Sequence, residues 1–159
     1  MASIYVVSAI AGCFWRESTV NPGIWESLIV PSDTWYHVYE RPSAGVGGYG
    51  FGQWTNVPDD YSDPSKGVSW RCRDFYEWAI SHHYAPDDGS GQLHYIFEVE
   101  RTWMQNSDRT GARTLDQFLS LTSNNIPDLV WDWLANWEGV PGNAYNERLE
   151  KAYVFEQYI

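Results

Sequence analysis

The stretch Ala9-Ile10-Ala11-Gly12-Cys13-Phe14-Trp15-Arg16-Glu17-Ser18-Thr19-Val20-Asn21-Pro22-Gly23 decides how the chain is read. Side chains three, four and seven positions apart stack on one face of a helix, so Ile10, Cys13, Phe14 and Glu17 share a face. The pattern predicts a first helix from about Ser3 to Ser18. Asn21-Pro22-Gly23 stops it, because Pro22 lacks a donor and pushes Asn21 out of helical geometry. Glu17 thus ends a face otherwise built for the core. An apolar setting disfavours the charged form of a carboxylic acid and raises its pKa. A glutamic acid kept protonated in this way is a general acid of the kind that glycosidic cleavage needs. The bland alternative is a salt-bridged surface residue, with Arg16 or a more distant basic group as partner.

Downstream lies Gly47-Gly48-Tyr49-Gly50-Phe51-Gly52-Gln53-Trp54-Thr55. Read as a strand, it alternates: Tyr49, Phe51, Gln53 and Thr55 face one way, the glycines and Trp54 the other. Glycine at every second position weakens a strand. It makes sense where another backbone or a ligand comes close, or where the chain bends. Residues 24–46 and 56–66 are rich in Pro, Asp, Ser and Gly and read as loops.

Helices dominate the rest. One is expected from Val68 to His82, with Trp70, Phe75 and Trp78 among its apolar positions. Asp87-Asp88-Gly89-Ser90-Gly91 is a turn. Leu93, Ile96, Phe97, Glu100, Trp103 and Met104 continue at helical spacing. Thr114-Leu115-Asp116-Gln117 is a capping box opening a short helix to about Thr122. Pro127 suits the first helical position, and Leu129 to Glu138 follows, closed by Gly139. A last helix, Tyr145 to Tyr158, turns Leu149, Ala152, Phe155 and Tyr158 inward. The expected fold is α+β, mainly helical with a small glycine-rich β element after the first helix, in one domain over residues 1–159.

Composition narrows the function classes. A formal net charge of -11 argues against nucleic acid, which selects basic patches. No run reaches the ~18 apolar residues of a membrane span, so no membrane insertion is expected. The N-terminus does not read as a signal peptide. Ten Trp and eleven Tyr fit either a Trp-rich core or a groove whose rings pack on sugar faces. The two cysteines, Cys13 and Cys72, read as buried thiols, with a single disulfide between them as the alternative. Neither cysteines nor histidines show paired ligand spacing, so no metal and no cofactor are expected.

The two N-terminal motifs resemble those of the phage tail lysozymes. In that family a helix ending in Glu-Ser is followed by an Asn-Pro-Gly turn and then by a Gly-aromatic-Gly strand leading to Gln-Trp-Thr, here Gly50-Phe51-Gly52-Gln53-Trp54-Thr55. Trp133-Leu134-Ala135-Asn136-Trp137-Glu138, followed by Arg148 and an aromatic-rich helix, is similar to the family's closing helices. The resemblance covers nearly the whole chain. It implies a lysozyme-like fold and an enzyme that cuts the glycan strands of peptidoglycan, carried in the virion on the phage tail, made in the host cytoplasm and acting on the bacterial cell wall. Other phage tail proteins would be its neighbours. By the same resemblance Glu17 is the catalytic glutamate, and Phe51, Gln53, Trp54 and Thr55 line the sugar cleft; Tyr49, beside them in the motif, is expected to pack on a sugar face as a further substrate-binding residue. A lytic transglycosylase, or an inactive structural or glycan-binding tail protein, remains an alternative. A second catalytic carboxylate could be Glu26, Asp33, Glu40, Asp59 or Asp60, while Glu138 reads as a brace for the loop after Gly139.

Overall fold

The computed structural model describes residues 2–23, 48–54, 56–58 and 68–158. Among them the chain is mainly helical and divides into two compact units. The first comprises residues 1–20 and 100–159, the second residues 21–99.

In the first unit, helix α1 (Ile4–Ser18) has the expected limits. Ser3 caps it, its hydroxyl accepting from the Val6 amide at 3.4 Å. It ends at Thr19 in the left-handed region (φ 53°), whose amide donates to the Trp15 carbonyl. Its predicted face is buried at Ile10, Cys13 and Phe14. Helix α1 packs against α6 (Tyr145–Glu156) and α5 (Ile126–Trp133). Phe14 meets Trp133 and Trp137 edge-on, with centroids 5.9 Å away in each pair. The two indoles stack at 4.9 Å. Contact with α6 is close because residue 12 is glycine: a Cβ there would come within 2.5 Å of the Arg148 carbonyl oxygen.

Helix α5 begins at Ile126, one residue before the expected Pro127, with Asn125 as its cap. It widens into a π-helical turn, Leu134–Glu138, which Gly139 closes at φ 74°. Helix α4 (Leu115–Leu119) carries the expected cap, the Thr114 hydroxyl accepting from the Gln117 amide at 3.2 Å. It stops short of Thr122. In α6 Arg148 and Ala152 are buried, whereas Tyr158, expected inside, is 83% exposed.

Leu93 to Met104 is not one helix. The helix around Leu93 passes into a π turn ending at Glu100, and Arg101 takes φ 46°. The segment beyond is held by polar groups that helical periodicity does not register. The Met104 amide donates to the Asn136 carbonyl at 2.8 Å, and Asn136 exchanges two side-chain hydrogen bonds with the Ser107 backbone. Asp132, fully buried, accepts from the Ser107 hydroxyl, the Arg109 amide, and both the amide and the hydroxyl of Thr110. The segment between Met104 and Thr110 is thus pinned to one face of α5 and its π extension.

In the second unit, β1 (Asn56–Pro58) and β2 (Val68–Trp70) pair antiparallel, Val57 opposite Ser69. Helix α2 (Arg71–Ser81) therefore starts three residues later than the expected Val68. Helix α3 (Gly89–His94) opens at Asp88, whose carboxylate accepts from the Ser90 and Gly91 amides. The glycine-rich segment is not the extended strand that its alternation suggested. It is a tight turn closed by a single bridge between Tyr49 and Trp54, with Gly50 at φ 67° and Gln53 at φ 44°. Left-handed geometry at Gly50 and Gln53 breaks a period of two.

Candidate functional site

Glu17 lies in the last turn of α1, and the nonpolar niche expected around its carboxyl is not what it meets. Its neighbour is the guanidinium of Arg148, from the first turn of α6, to which Glu17 Oε1 is directly paired through Nη2. Arg16, the alternative partner, instead pairs with Glu147 at 2.9 Å, and both side chains of that pair are largely in solvent. Exposed pairs of that kind contribute little to stability.

Arg148 is 1% exposed. Such a guanidinium survives inside a protein only when its donors are met. Nε donates to the Asn143 carbonyl at 3.0 Å and Nη1 to the Cys13 carbonyl at 3.2 Å. Nη1 also meets the Glu138 carboxylate at 2.9 Å, so one cation carries two glutamates from different elements. Glu138 closes the π turn after α5, and its side chain is 7% exposed against 26% for Glu17. Burial pushes the Glu138 carboxyl up to about 8. The Arg148 charge pulls it back, and the Glu17 carboxylate raises it again. Burial works against the charge on Arg148 in turn, and Glu138 leads the groups that restore it.

Cys13 packs into the same corner. Burial and then the nearby Glu138 carboxylate raise its pKa well above the ordinary thiol range. Burial lifts Cys72 to about 12. Both are buried thiols, inert at neutral pH rather than nucleophilic.

The residues assigned to substrate come together in the second unit, but as its interior. Tyr49 and Trp54 have no exposed surface, and Phe51 is 6% exposed. Trp54 stacks on Phe75 at 4.3 Å, with Tyr95 edge-on to both rings. These rings pack on protein and leave no open face for a sugar. Gln53 is half-buried, its amide donating to the Gly50 carbonyl at 2.8 Å. Thr55 lies outside the described residues, as do Glu26, Asp33, Glu40, Asp59 and Asp60. The anchor of this turn is a residue that periodicity did not single out. Gln92 is fully buried; its oxygen accepts from the Phe51 amide at 2.8 Å and its nitrogen donates to the Pro22 and Pro86 carbonyls at 2.7 and 2.8 Å. The Asn-Pro-Gly turn and the glycine-rich turn therefore share one amide.

Residues 2–158 match the family model described as phage tail lysozyme. The chain belongs to that family. No curated protein matches it. Membership supports a lysozyme-type role connected with phage tails and with peptidoglycan as substrate. The match runs through both units, including the Glu17, Glu138 and Arg148 cluster and the glycine-rich turn. Among the described residues no group of three or more His, Cys, Asp or Glu could hold a metal ion, and no helix is long and apolar enough to cross a membrane.

Proposed function

We propose that this phage tail lysozyme is a virion-borne enzyme that cuts the glycan strands of the bacterial wall during infection, with Glu17 donating the proton to the departing glycosidic oxygen. The observation carrying this reading is that Glu17, at the end of α1, is the partly exposed carboxylate of a cluster whose other members, Arg148 and Glu138, are buried. Of the three, Glu17 is the one a substrate oxygen can reach. Arg148 fixes the position of its carboxyl. Proton donation by a positioned carboxylic acid supplies roughly two to four powers of ten in rate. The substrate's N-acetyl or 6-hydroxyl group could take the second role that no described carboxylate fills.

Tyr49, Phe51 and Trp54 enter this proposal as support rather than as sugar contacts. Their packing fixes the turn that presents Gln53, which leaves Gln53, and Thr55 beyond it, as the residues of the motif to contact an N-acetyl group.

The test is digestion of purified peptidoglycan by the wild-type chain and by Glu17→Gln, with products identified by mass. New reducing ends from the wild type, with at least ~100-fold fewer from the variant, are expected. Anhydro ends would mean a lytic transglycosylase. Equal, null results from both chains would favour the structural reading, in which the Glu17–Arg148 pair only holds α1 to α6; equal cleavage by both would remove Glu17 as the proton donor.

A further inference from the structure

Two carboxylates rest on one guanidinium that has almost no contact with solvent. With both ionised, the cluster carries a net charge of minus one in a corner that it shares with Cys13 and Trp133. Uncompensated charge is costly there, and like charges on a shared partner resist ionising together. One added proton makes the cluster neutral. The more deeply buried carboxyl gains most from holding it, and that is Glu138.

We propose that Glu17 and Glu138 share a single proton across Arg148, with Glu138 its resting place and the store from which Glu17 is recharged. This rests on Glu17 acting as the proton donor. Among the described residues, the groups facing Glu138 are Arg148 from α6, Glu17 and Cys13 from α1, and the Trp133 indole of α5. Arg148 is the only cation among them. At rest, Arg148 is paired with Glu17, and its single positive charge does not balance a Glu138 carboxylate as well. When a sugar chain covers Glu17 and removes its water, the favoured arrangement inverts: the proton leaves the Glu138 carboxyl and is taken up by the Glu17 carboxylate. Arg148 then balances Glu138. As the glycosidic bond breaks, Glu17 gives that proton to the departing oxygen. The water, or the substrate hydroxyl, that attacks the anomeric carbon loses a proton, which returns the cluster to its starting state. Glu138 touches no substrate and is a positioning residue that sets the protonation of Glu17. The raised titration of Glu138 agrees with this assignment.

The proton is observable without turnover. In full-length chain carrying 13C-labelled glutamate, carboxyl-carbon NMR through a pH series should show one glutamate titrating near pH 8. That signal should vanish in Glu138→Gln. It should move to lower pH in Glu17→Gln, because a neighbouring negative charge is gone; this second variant serves if Glu138→Gln does not fold. A wild-type chain in which every glutamate titrates near ~4.3 overturns the proposal. So does a high signal indifferent to Glu17→Gln. In glycan cleavage, Glu138→Gln should shift the alkaline limb of the pH profile down by more than one pH unit, with the loss in kcat rather than KM. An unchanged limb overturns the recharging role. A chain that shows the high titration but cuts no glycan keeps the shared proton and removes the catalytic reading instead.

Discussion

Gly12→Ala separates two effects that usually travel together. Alanine is the better helix former by roughly 1 kcal/mol, and residue 12 sits mid-helix, so propensity alone predicts stabilisation. The packing predicts the reverse. An added Cβ would lie 2.5 Å from the Arg148 carbonyl oxygen, 2.6 Å from the Ala152 nitrogen and 2.9 Å from its Cα. All three are backbone atoms, so no side chain can swing aside and α6 must move. Overpacking of this kind costs typically ~1–3 kcal/mol, and a contact set made wholly of backbone belongs at the upper end. The net expectation is a loss of about 1–2 kcal/mol. For a chain of this size that lowers Tm by roughly 2–8 °C. Thermal unfolding followed by circular dichroism measures it. Ala11→Gly, on the half-buried side of the same helix, calibrates the propensity contribution. Because the strained atom is the Arg148 carbonyl, glycan cleavage should fall further than the stability loss explains. A Gly12→Ala chain with a higher Tm than wild type would refute the account of α1–α6 packing.

Further expectations concern other buried polar groups. Asp132→Ala should cost roughly 3–5 kcal/mol in urea unfolding, since four donors from residues 107–110 lose their acceptor, while Asp132→Asn retains part of the network and should cost less. Gly50→Ala should destabilise by at least ~2 kcal/mol in the same assay, because φ 67° disfavours alanine and its Cβ would lie 2.4 Å from the Gln92 oxygen that holds the Phe51 amide. Glu138 binds its proton more tightly folded than unfolded, so its contribution is fully present below its unfolded value near 4.5 and is lost as pH rises to about 8. The stability of wild type relative to Glu138→Gln should therefore fall by the order of 3–5 kcal/mol between pH 4.5 and 8, and a flat difference would remove the buried proton.

Local signals were legible where a residue's own element determined its fate. The limits of α1, the Thr114 cap, Pro127 in a first turn and Gly139 at a left-handed stop all follow from backbone chemistry within four residues. The buried face of α1 was legible for the same reason. Periodicity failed where a distant polar group took over. Leu93 to Met104 kept helical spacing to its end, but buried Asp132 and Asn136 hold the backbone that follows, and a pattern of apolar positions contains no term for them. The glycine-rich turn failed differently. Its alternation was real, but glycine also permits positive φ, and Gln92 decides between the two conformations from forty-one residues away.

The error about Glu17 follows from the same physics. A helix face assigns surroundings from residues three and four positions away, and for Glu17 these are Cys13 and Phe14. The carboxyl itself projects past them to whatever the partner helix offers. That is Arg148, 131 residues on in sequence, which reads as an ordinary surface cation because arginine seldom lies fully buried. Once Arg148 is inside, the property sought in Glu17 reappears in its neighbour. A buried cation with a single carboxylate would favour ionisation. A buried cation with two carboxylates balances the charge of only one, and burial raises the pKa of the one farther from water, Glu138. The buried acid of raised pKa expected at Glu17 is thus found at Glu138, while Glu17 is the more exposed of the two. Catalysis by this cluster would require both glutamates, so Glu17→Gln and Glu138→Gln should not reduce glycan cleavage additively. The double variant should be scarcely worse than Glu17→Gln alone, whereas two independent carboxylates would multiply their losses.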